Sequence, residues 1–298
     1  MSFTRESDRA GSEGFIVVAV LWLLGALAAL AAIYTLYVHE AAFGFAGRSQ
    51  RLQAQGLALA GVELAAYQLT ANPKAQPLRG KFAFRLGTAE VHVDFRSENS
   101  RIDLNFASPQ VLAGLFVSFG ARYDDAQFYA ARILAWRTPL TSGATDDEAG
   151  LYQSAGRNYG PRHGPFQHIN EFGLVLGVPQ VMLDRALPFL TVYSGQAEVN
   201  LLNAAPEVLA ALPEMTPDRF DLALGLRAGA SQDVISAQLG TVGQFATVQA
   251  GKSNRVSVDI RFPDHNAHAE AVILLRDEDS EPYRILSWRD EDGENGGR

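Results

Sequence analysis

Residues 14–38 read GFIVVAVLWLLGALAALAAIYTLYV and contain no Asp, Glu, Lys, Arg or His. From Phe15 onward, a helix at about 1.5 Å rise per residue reaches roughly 36 Å, enough to cross a hydrocarbon core of about 30 Å. The stretch is therefore expected to be a single membrane span. On its left lies a short polar flank, MSFTRESDRAGSE, in which Arg5 and Arg9 are matched by Glu6, Asp8 and Glu13. Arg48 and Arg51 follow the span, so charge alone does not orient it.

An ordinary signal peptide is cut after its apolar region at small residues, and Ala26-Leu27-Ala28 and Ala29-Leu30-Ala31 leave that route open. The Gly14-Phe15 step at the polar-to-apolar boundary instead resembles the class III signal of type IV pilins and type II secretion pseudopilins. The resemblance implies that a prepilin peptidase cuts between Gly14 and Phe15 and methylates the new terminus. It also implies a Glu at the fifth mature position, where this chain has Ala19. A carboxylate in a bilayer costs about 2.5–3.5 kcal/mol on insertion scales and needs a partner. In the family that partner is the terminal amine of a neighbouring subunit, and the K-type minor pseudopilin lacks the Glu, as suits a tip subunit. Ala19 marks this chain as K-type by resemblance.

Beyond the span, 39–72 has few helix breakers and is expected to continue as helix. Leu52, Leu59, Val62 and Leu69 form one stripe, and the small residues Ala54, Ala58, Gly61 and Ala65 form another that lets a second backbone approach. This half is expected to scaffold a sheet and to meet partner helices. After a loop the period changes to two: Phe82, Phe84, Leu86, then Val91, Val93, Phe95, read as an antiparallel hairpin around Gly87-Thr88. Strand alternation resumes only at Val256, Val258, Ile260 and in HAEAVILLR and PYRILSW. The expected fold is α+β: a pilin-like helix on an antiparallel sheet, with an all-α domain inserted into the sheet. The segments are a leader at 1–14, a helix at 15–72, sheet at 73–100 and 241–289, an insertion at 101–240 and a disordered acidic tail at 290–298.

The insertion carries an internal repeat. Ile102 to Leu115 aligns with Val199 to Leu212 with seven of fourteen positions identical, each copy running from an extended piece through Ser-Pro or Ala-Pro into a helix. Asp103-Leu104-Asn105, Leu134-Ala135-Trp136, the run from Asn170 to Gly177, and Pro188-Phe189-Leu190-Thr191-Val192 are similar to the motifs of K-type pseudopilins. The acids that the family places around its Trp are displaced here to Asp146, Asp147 and Glu148.

The 298 residues carry a formal charge of −8, no run of Lys or Arg and no cysteine, which excludes thiolate metal sites and disfavours nucleic-acid binding. No G-x-S-x-G, P-loop, G-x-G-x-x-G or C-x-x-C pattern is present, and the chain is read as non-catalytic. His265 and His268 are read as turn residues, and His163 and His168 as surface or packing residues. No cofactor is required. Asp146, Asp147, Glu148 and Asp277, Glu278, Asp279 are the candidate ligands for structural calcium, without EF-hand spacing. The rival reading is an exported or anchored nucleic-acid binder with helix-hairpin-helix-like repeats; its second hairpin, 213–217, has no glycine and adds Glu214.

The resemblance implies a non-catalytic minor pseudopilin that caps the pseudopilus tip and helps initiate its assembly for protein export. Its implied partners are I-type and J-type minor pseudopilins, the prepilin peptidase and the inner-membrane assembly platform, with no nucleic acid. It implies a single-pass protein of the bacterial inner membrane whose soluble domain is periplasmic. Mass spectrometry of the membrane-expressed chain, with and without a prepilin peptidase, is expected to show a peptidase-dependent, methylated Phe15 terminus. A terminus at Ala29 or Ala32 would refute the pilin-type route.

Overall fold

A computed structural model describes residues 12–71, 76–141, 143, 145–227, 240–276 and 281–292; the side chains of 12–14, 38–49, 226, 240–241 and 291–292 fall outside it. Two compact units divide the chain, 1–56 and 57–298. Helix α1 is Ser12–Thr70, and its first unit contains the apolar run Phe15–Tyr37 with mean hydropathy 2.8 and none of that run buried within the chain. The Thr35 hydroxyl donates to the Ala31 carbonyl at 2.8 Å, so a polar group in the run is satisfied within the helix, as hydrocarbon surroundings demand.

The second unit begins with residues 57–70 of α1. It continues through β1 (Arg79–Leu86), β2 (Ala89–Ser97), β3 (Ile102–Asp103), α2 (Pro109–Ser118), α3 (Tyr123–Arg137), α4 (Asp147–Ser154) and α5 (Gln180–Ala186). Then come β4 (Leu190–Thr191), β5 (Val199–Asn200), α6 (Pro206–Ala210), α7 (Pro217–Leu226), β6 (Ala246–Thr247), β7 (Ser253–Arg261), β8 (Asn266–Leu275) and β9 (Tyr283–Asp292). Five strands form an antiparallel sheet in the order β1-β2-β7-β8-β9. The architecture is α+β, as the alternation of periods implies.

Side chains alternate across a pleated sheet, so each strand gives one row to each face. Val91, Val93 and Phe95 on β2 lie opposite Ile260, Val258 and Val256 on β7, and all six are buried. Against this row α1 lays Leu57, Ala58, Val62, Ala65, Ala66 and Leu69, all buried and spaced at helical intervals. Gly61 lies at the closest approach: a Cβ there would stand 3.0 Å from Cγ1 of Val258 and 3.1 Å from Cγ2 of Val93. The β1–β2 turn passes through Gly87 at φ +61°, which glycine adopts without the steric cost a Cβ brings.

Two sequence boundaries shift. The insertion spans 98–252 rather than 101–240, because 246–247 lacks sheet alternation and pairs in parallel with β5 inside the insertion. The first three residues of the expected tail belong to the sheet: β9 runs to Asp292, with Asp290, Glu291 and Asp292 opposite Ala269, His268 and Ala267. Backbone pairing to β8 holds these residues, and an edge strand tolerates charge that also discourages further pairing. Residues 293–298 lie outside the described residues.

The insertion has its own core, centred on Phe116, Ile133, Trp136, Tyr152, Phe172 and Leu209. Its repeat proves longer than the aligned helices. Leu104 N–H donates to the Thr191 carbonyl at 2.8 Å, and Leu201 N–H to that of Thr247 at 2.9 Å. Asp103 Oδ1 accepts from Asn105 N–H at 2.8 Å, while Asn200 Oδ1 accepts from Leu202 N–H at 2.9 Å. Arg137 bonds the carbonyls of Leu104 and Ala107 at 2.5 and 2.7 Å; Arg227 bonds those of Leu201 and Ala204 at 3.0 and 2.7 Å. Each copy is thus a strand, a turn, two helices, an arginine returning to the turn, and a parallel strand. The two meet where α2 crosses α6, at the equivalent positions Gly114 and Ala211.

A Cβ on Gly114 would lie 2.0 Å from the Ala211 carbonyl oxygen, an overlap that only backbone movement relieves. Gly114→Ala is expected to destabilise by about 1–3 kcal/mol in urea unfolding of the detergent-solubilised chain. Gly150→Ala, in α4 with open space around it, is expected to stabilise by about 0.5–1 kcal/mol. Equal effects at the two positions would refute the close crossing.

Candidate functional site

Gly14 and Phe15 lie in the first turns of α1, and the Phe15 side chain is 76% exposed. Ala19 is exposed on the same apolar run, where it presents a methyl group in place of a carboxylate. Residues 1–11 of the expected leader lie outside the described residues.

The stripe expected to meet partner helices is corrected by the structure. Ala58, Gly61, Val62, Ala65 and Leu69 are turned to the chain's own sheet. The reason is steric: small residues let the closest neighbour approach, and here that neighbour is β2 and β7. Leu52 is exposed and Ala54 half-buried in the first unit. In the second unit the large apolar residues of α1 that face outward are Leu59, Leu64 and Tyr67, at 45, 42 and 70% exposure. Sequence reasoning found Leu59 but missed Leu64 and Tyr67, which lie off the stripe it followed. Glu63, beside them, accepts a hydrogen bond from the Tyr283 hydroxyl at 2.8 Å. That residue's phenol is pushed up to about 12 by burial and by Glu63.

The acidic run of α4 is engaged locally. Asp146 caps the helix through Ala149 N–H at 2.9 Å and pairs with His163 Nε2 at 2.8 Å. Glu148 pairs with buried Arg132 at 2.7 Å, and burial pushes its carboxyl up. Arg132 also stacks against the rings of Phe128 and Tyr152. The carboxylates of Asp146 and Glu148 therefore serve different partners. Among the described residues no three His, Asp or Glu side chains gather around one metal position. Asp277, Glu278 and Asp279 lie outside the described residues. His168 Nδ1 accepts from Asn170 N–H, His265 stacks on Phe262, and His268 sits in β8 paired with Asp259 at 2.8 Å rather than in a turn. The Asn170–Gly177 run is 3₁₀ over Ile169–Leu174 and ends with Gly177 at φ +89°. In the second helical hairpin, Glu214 takes a left-handed conformation in the turn where a phosphate binder presents glycine.

The insertion joins the sheet at a charged junction that sequence reasoning did not find. Glu98, 1% exposed, receives Arg255 Nε at 2.6 Å, Arg255 Nη2 at 3.3 Å and the Thr191 hydroxyl. Arg255 Nη1 reaches Glu270 at 2.5 Å. Burial pushes the Glu98 carboxyl up, but Arg255, Arg101 and the Thr191 hydroxyl together hold it below the ordinary glutamate value of 4.5. Ser97 and Asn99 complete the join: Ser97 Oγ accepts from Gly251 N–H at 3.0 Å, and Asn99 Nδ2 donates to the Gln249 carbonyl at 3.0 Å.

Residues 96–195 match the family model described as "Type II secretion system (T2SS), protein K". The matched region is roughly the first two thirds of the insertion, from the charged junction through the first copy of the repeat. No curated protein matches the chain. Among solved structures, a chain from the GspK-GspI-GspJ complex of the enterotoxigenic Escherichia coli type 2 secretion system is similar. Its TM-score is 0.57 at 16% identity, covering 83% of this chain and 98% of that one. That similarity is one of fold, and it agrees with the sequence match over the insertion.

Glu98→Ala is expected to cost about 3 kcal/mol near neutral pH, because it removes one partner of a buried pair. Because the folded pKa is depressed, the carboxylate's stabilisation is complete above 4.5 and is lost as pH falls through the folded value. The gap between parent and variant in urea unfolding is expected to narrow below that pH. An equal gap at about pH 7 and about pH 3 would refute the assignment.

Proposed function

We propose that this chain, a K-type minor pseudopilin of type II secretion, caps the pseudopilus tip and takes part in initiating its assembly. The observation that carries the reading is the combination of a pilin-like scaffold with the protein K match over a domain inserted between two neighbouring strands. A pilin-like subunit offers its helix to others through the membrane and along the filament. A domain as large as 98–252 on the same sheet leaves little room for a further subunit above it, which suits a terminal position. Ala19 supports the same place: a subunit with nothing above it has no terminal amine to pair with a buried carboxylate.

Assembly supplies the mechanism, and no bond-making step is involved. The span Phe15–Tyr37 holds the chain in the inner membrane after a prepilin peptidase cuts at Gly14-Phe15. The assembly platform then extracts it, with the soluble domain in the periplasm. The partners are I-type and J-type minor pseudopilins, as the solved complex pairs GspK with GspI and GspJ. Leu59, Leu64 and Tyr67 are the residues of the second unit's helix free to meet them, the inner stripe being occupied by the chain's own sheet.

Co-expression of the full chain with its I-type and J-type counterparts is expected to give a detergent-stable complex holding one copy of each. Leu64→Arg is expected to reduce recovery at least about tenfold, since an arginine cannot be desolvated there without a partner. Ala19→Glu is expected to leave secretion unchanged or impaired. Recovery of several copies along one filament, or improved incorporation of Ala19→Glu, would overturn the tip assignment.

A further inference from the structure

The outer face of the sheet carries an arrangement of like charges that the assembly role does not explain. Arg79 on β1 lies opposite Arg96 on β2, and Arg96 lies opposite Arg255 on β7, so three guanidinium groups form one row across three strands. Like charges directly opposite on a sheet destabilise it unless something neutralises them. Arg101, just past β2, adds a fourth.

Nearby acids do not account for all of these cations. Glu98 and Glu270 are both taken by Arg255, and Asp94 is paired with Lys81 at 2.6 Å. Among the described residues nothing accepts a hydrogen bond from the Arg101 guanidinium, although it is half-buried. Burial and the neighbouring Arg255 and Arg96 all weigh against its charge, while Glu98 and Glu270 partly offset them. A half-buried guanidinium without a protein acceptor is normally satisfied by an anion or by water.

Arg96, Arg101 and Arg255 line a cleft of about 110 Å³ together with Ser97, Ser100, Ser257 and the acids Asp94, Glu98 and Glu270. The lining holds three arginines against Asp94, Glu98 and Glu270; because Lys81, outside the cleft, already neutralises Asp94, one positive charge of the lining is left in excess, Arg79 lying beyond the lining. A single negative charge balances the site, whereas a dianion would over-fill it and crowd the two glutamates. Guanidinium groups match a carboxylate's two oxygens bidentately, and serine hydroxyls supply further donors. We propose that this cleft binds one carboxylate group, with Arg101 as its principal donor and Arg96, Ser100 and Ser257 around it. The group is either a small free carboxylate or an Asp or Glu side chain of a docked protein.

The test uses the full chain in detergent and follows thermal unfolding with sodium acetate, with sodium chloride at equal ionic strength, and with neutral acetamide. Acetate is expected to raise the melting temperature saturably, by roughly 3–6 °C at ten times its Kd, while acetamide and chloride do not. Arg101→Gln is expected to weaken acetate binding at least about tenfold, and Arg101→Lys to retain part of it. Acetyl-glutamate amide distinguishes the sources: affinity equal to acetate's assigns the site to a protein side chain, and exclusion of the blocked residue assigns it to a small free carboxylate. Identical curves in acetate and acetamide for the unaltered chain would overturn the proposal, as would undiminished acetate binding by Arg101→Gln. The first comparison needs no variant and holds even if Arg101→Gln does not fold.

Discussion

The pairing of β2 with β7 is the constraint on which the second unit depends. Eight consecutive residues of each strand are matched, from Glu90 with Arg261 to Ser97 with Asn254, although the whole insertion lies between them in sequence. Removing that ladder would separate the β1–β2 hairpin from the three-stranded remainder and split the apolar row that α1 covers. Bringing such distant segments together has an entropic cost that grows slowly with loop length, and a folded insertion with adjacent ends lowers it further. Glu98 and Arg255 secure the place where those ends meet. They fix the first residue beyond β2 to a residue of β7 by charge-assisted bonds in a buried setting, where misregistration would strand two charges.

Inside the insertion the same problem is solved twice by one device. A short strand turns into a helical hairpin, and an arginine near the end of that hairpin bonds the two carbonyls that the turn leaves open. Arg137 and Arg227 perform this in the two copies, so the turn geometry is set by a side chain rather than by a longer strand. Burial lowers the proton affinity of both groups, yet each stays bonded to oxygens that cannot be protonated away. The copies differ where their surroundings differ. Asp103 accepts from Ser194 and Gly195, whereas Asn200 at the equivalent place donates to the Gln249 carbonyl.

The helices and the five long strands were legible because each buries one face, and burial writes a period into the sequence. Val91, Val93 and Phe95 announce a strand as plainly as Ala58, Val62, Ala65 and Leu69 announce a helix. Which neighbour the small-residue stripe meets was not legible, since a glycine records closeness and not identity. The second half of the repeat was hidden for another reason. Phe189 to Gly195 and Phe245 to Gly251 share Phe, Thr, Val and Gly, but α4, α5 and the intervening loops separate the first from its hairpin, whereas the second follows the end of α7 much more closely in sequence. The junction of Glu98, Arg101, Arg255 and Glu270 left no local pattern, because its members are brought together only by the sheet register. The Gly14-Phe15 step and Ala19 needed no structure to be noticed, as their meaning lies in what surrounds them in sequence.

Because β7, β8 and β9 follow the insertion in sequence, the order of synthesis bears on how the protein matures. A nascent chain presents α1 and the β1–β2 hairpin long before the strands that complete their sheet exist. Val91, Val93 and Phe95 then have only the helix to cover them, and β2 has an open edge. The insertion is under no such delay: its apolar core is built from residues 102–242, all of which precede β7. Its two ends, once drawn together, hold the open edge of β2 beside the place where β7 will enter. The inserted domain would thereby act as a clamp within its own chain, shortening the interval in which an unpaired strand is available to the wrong partner.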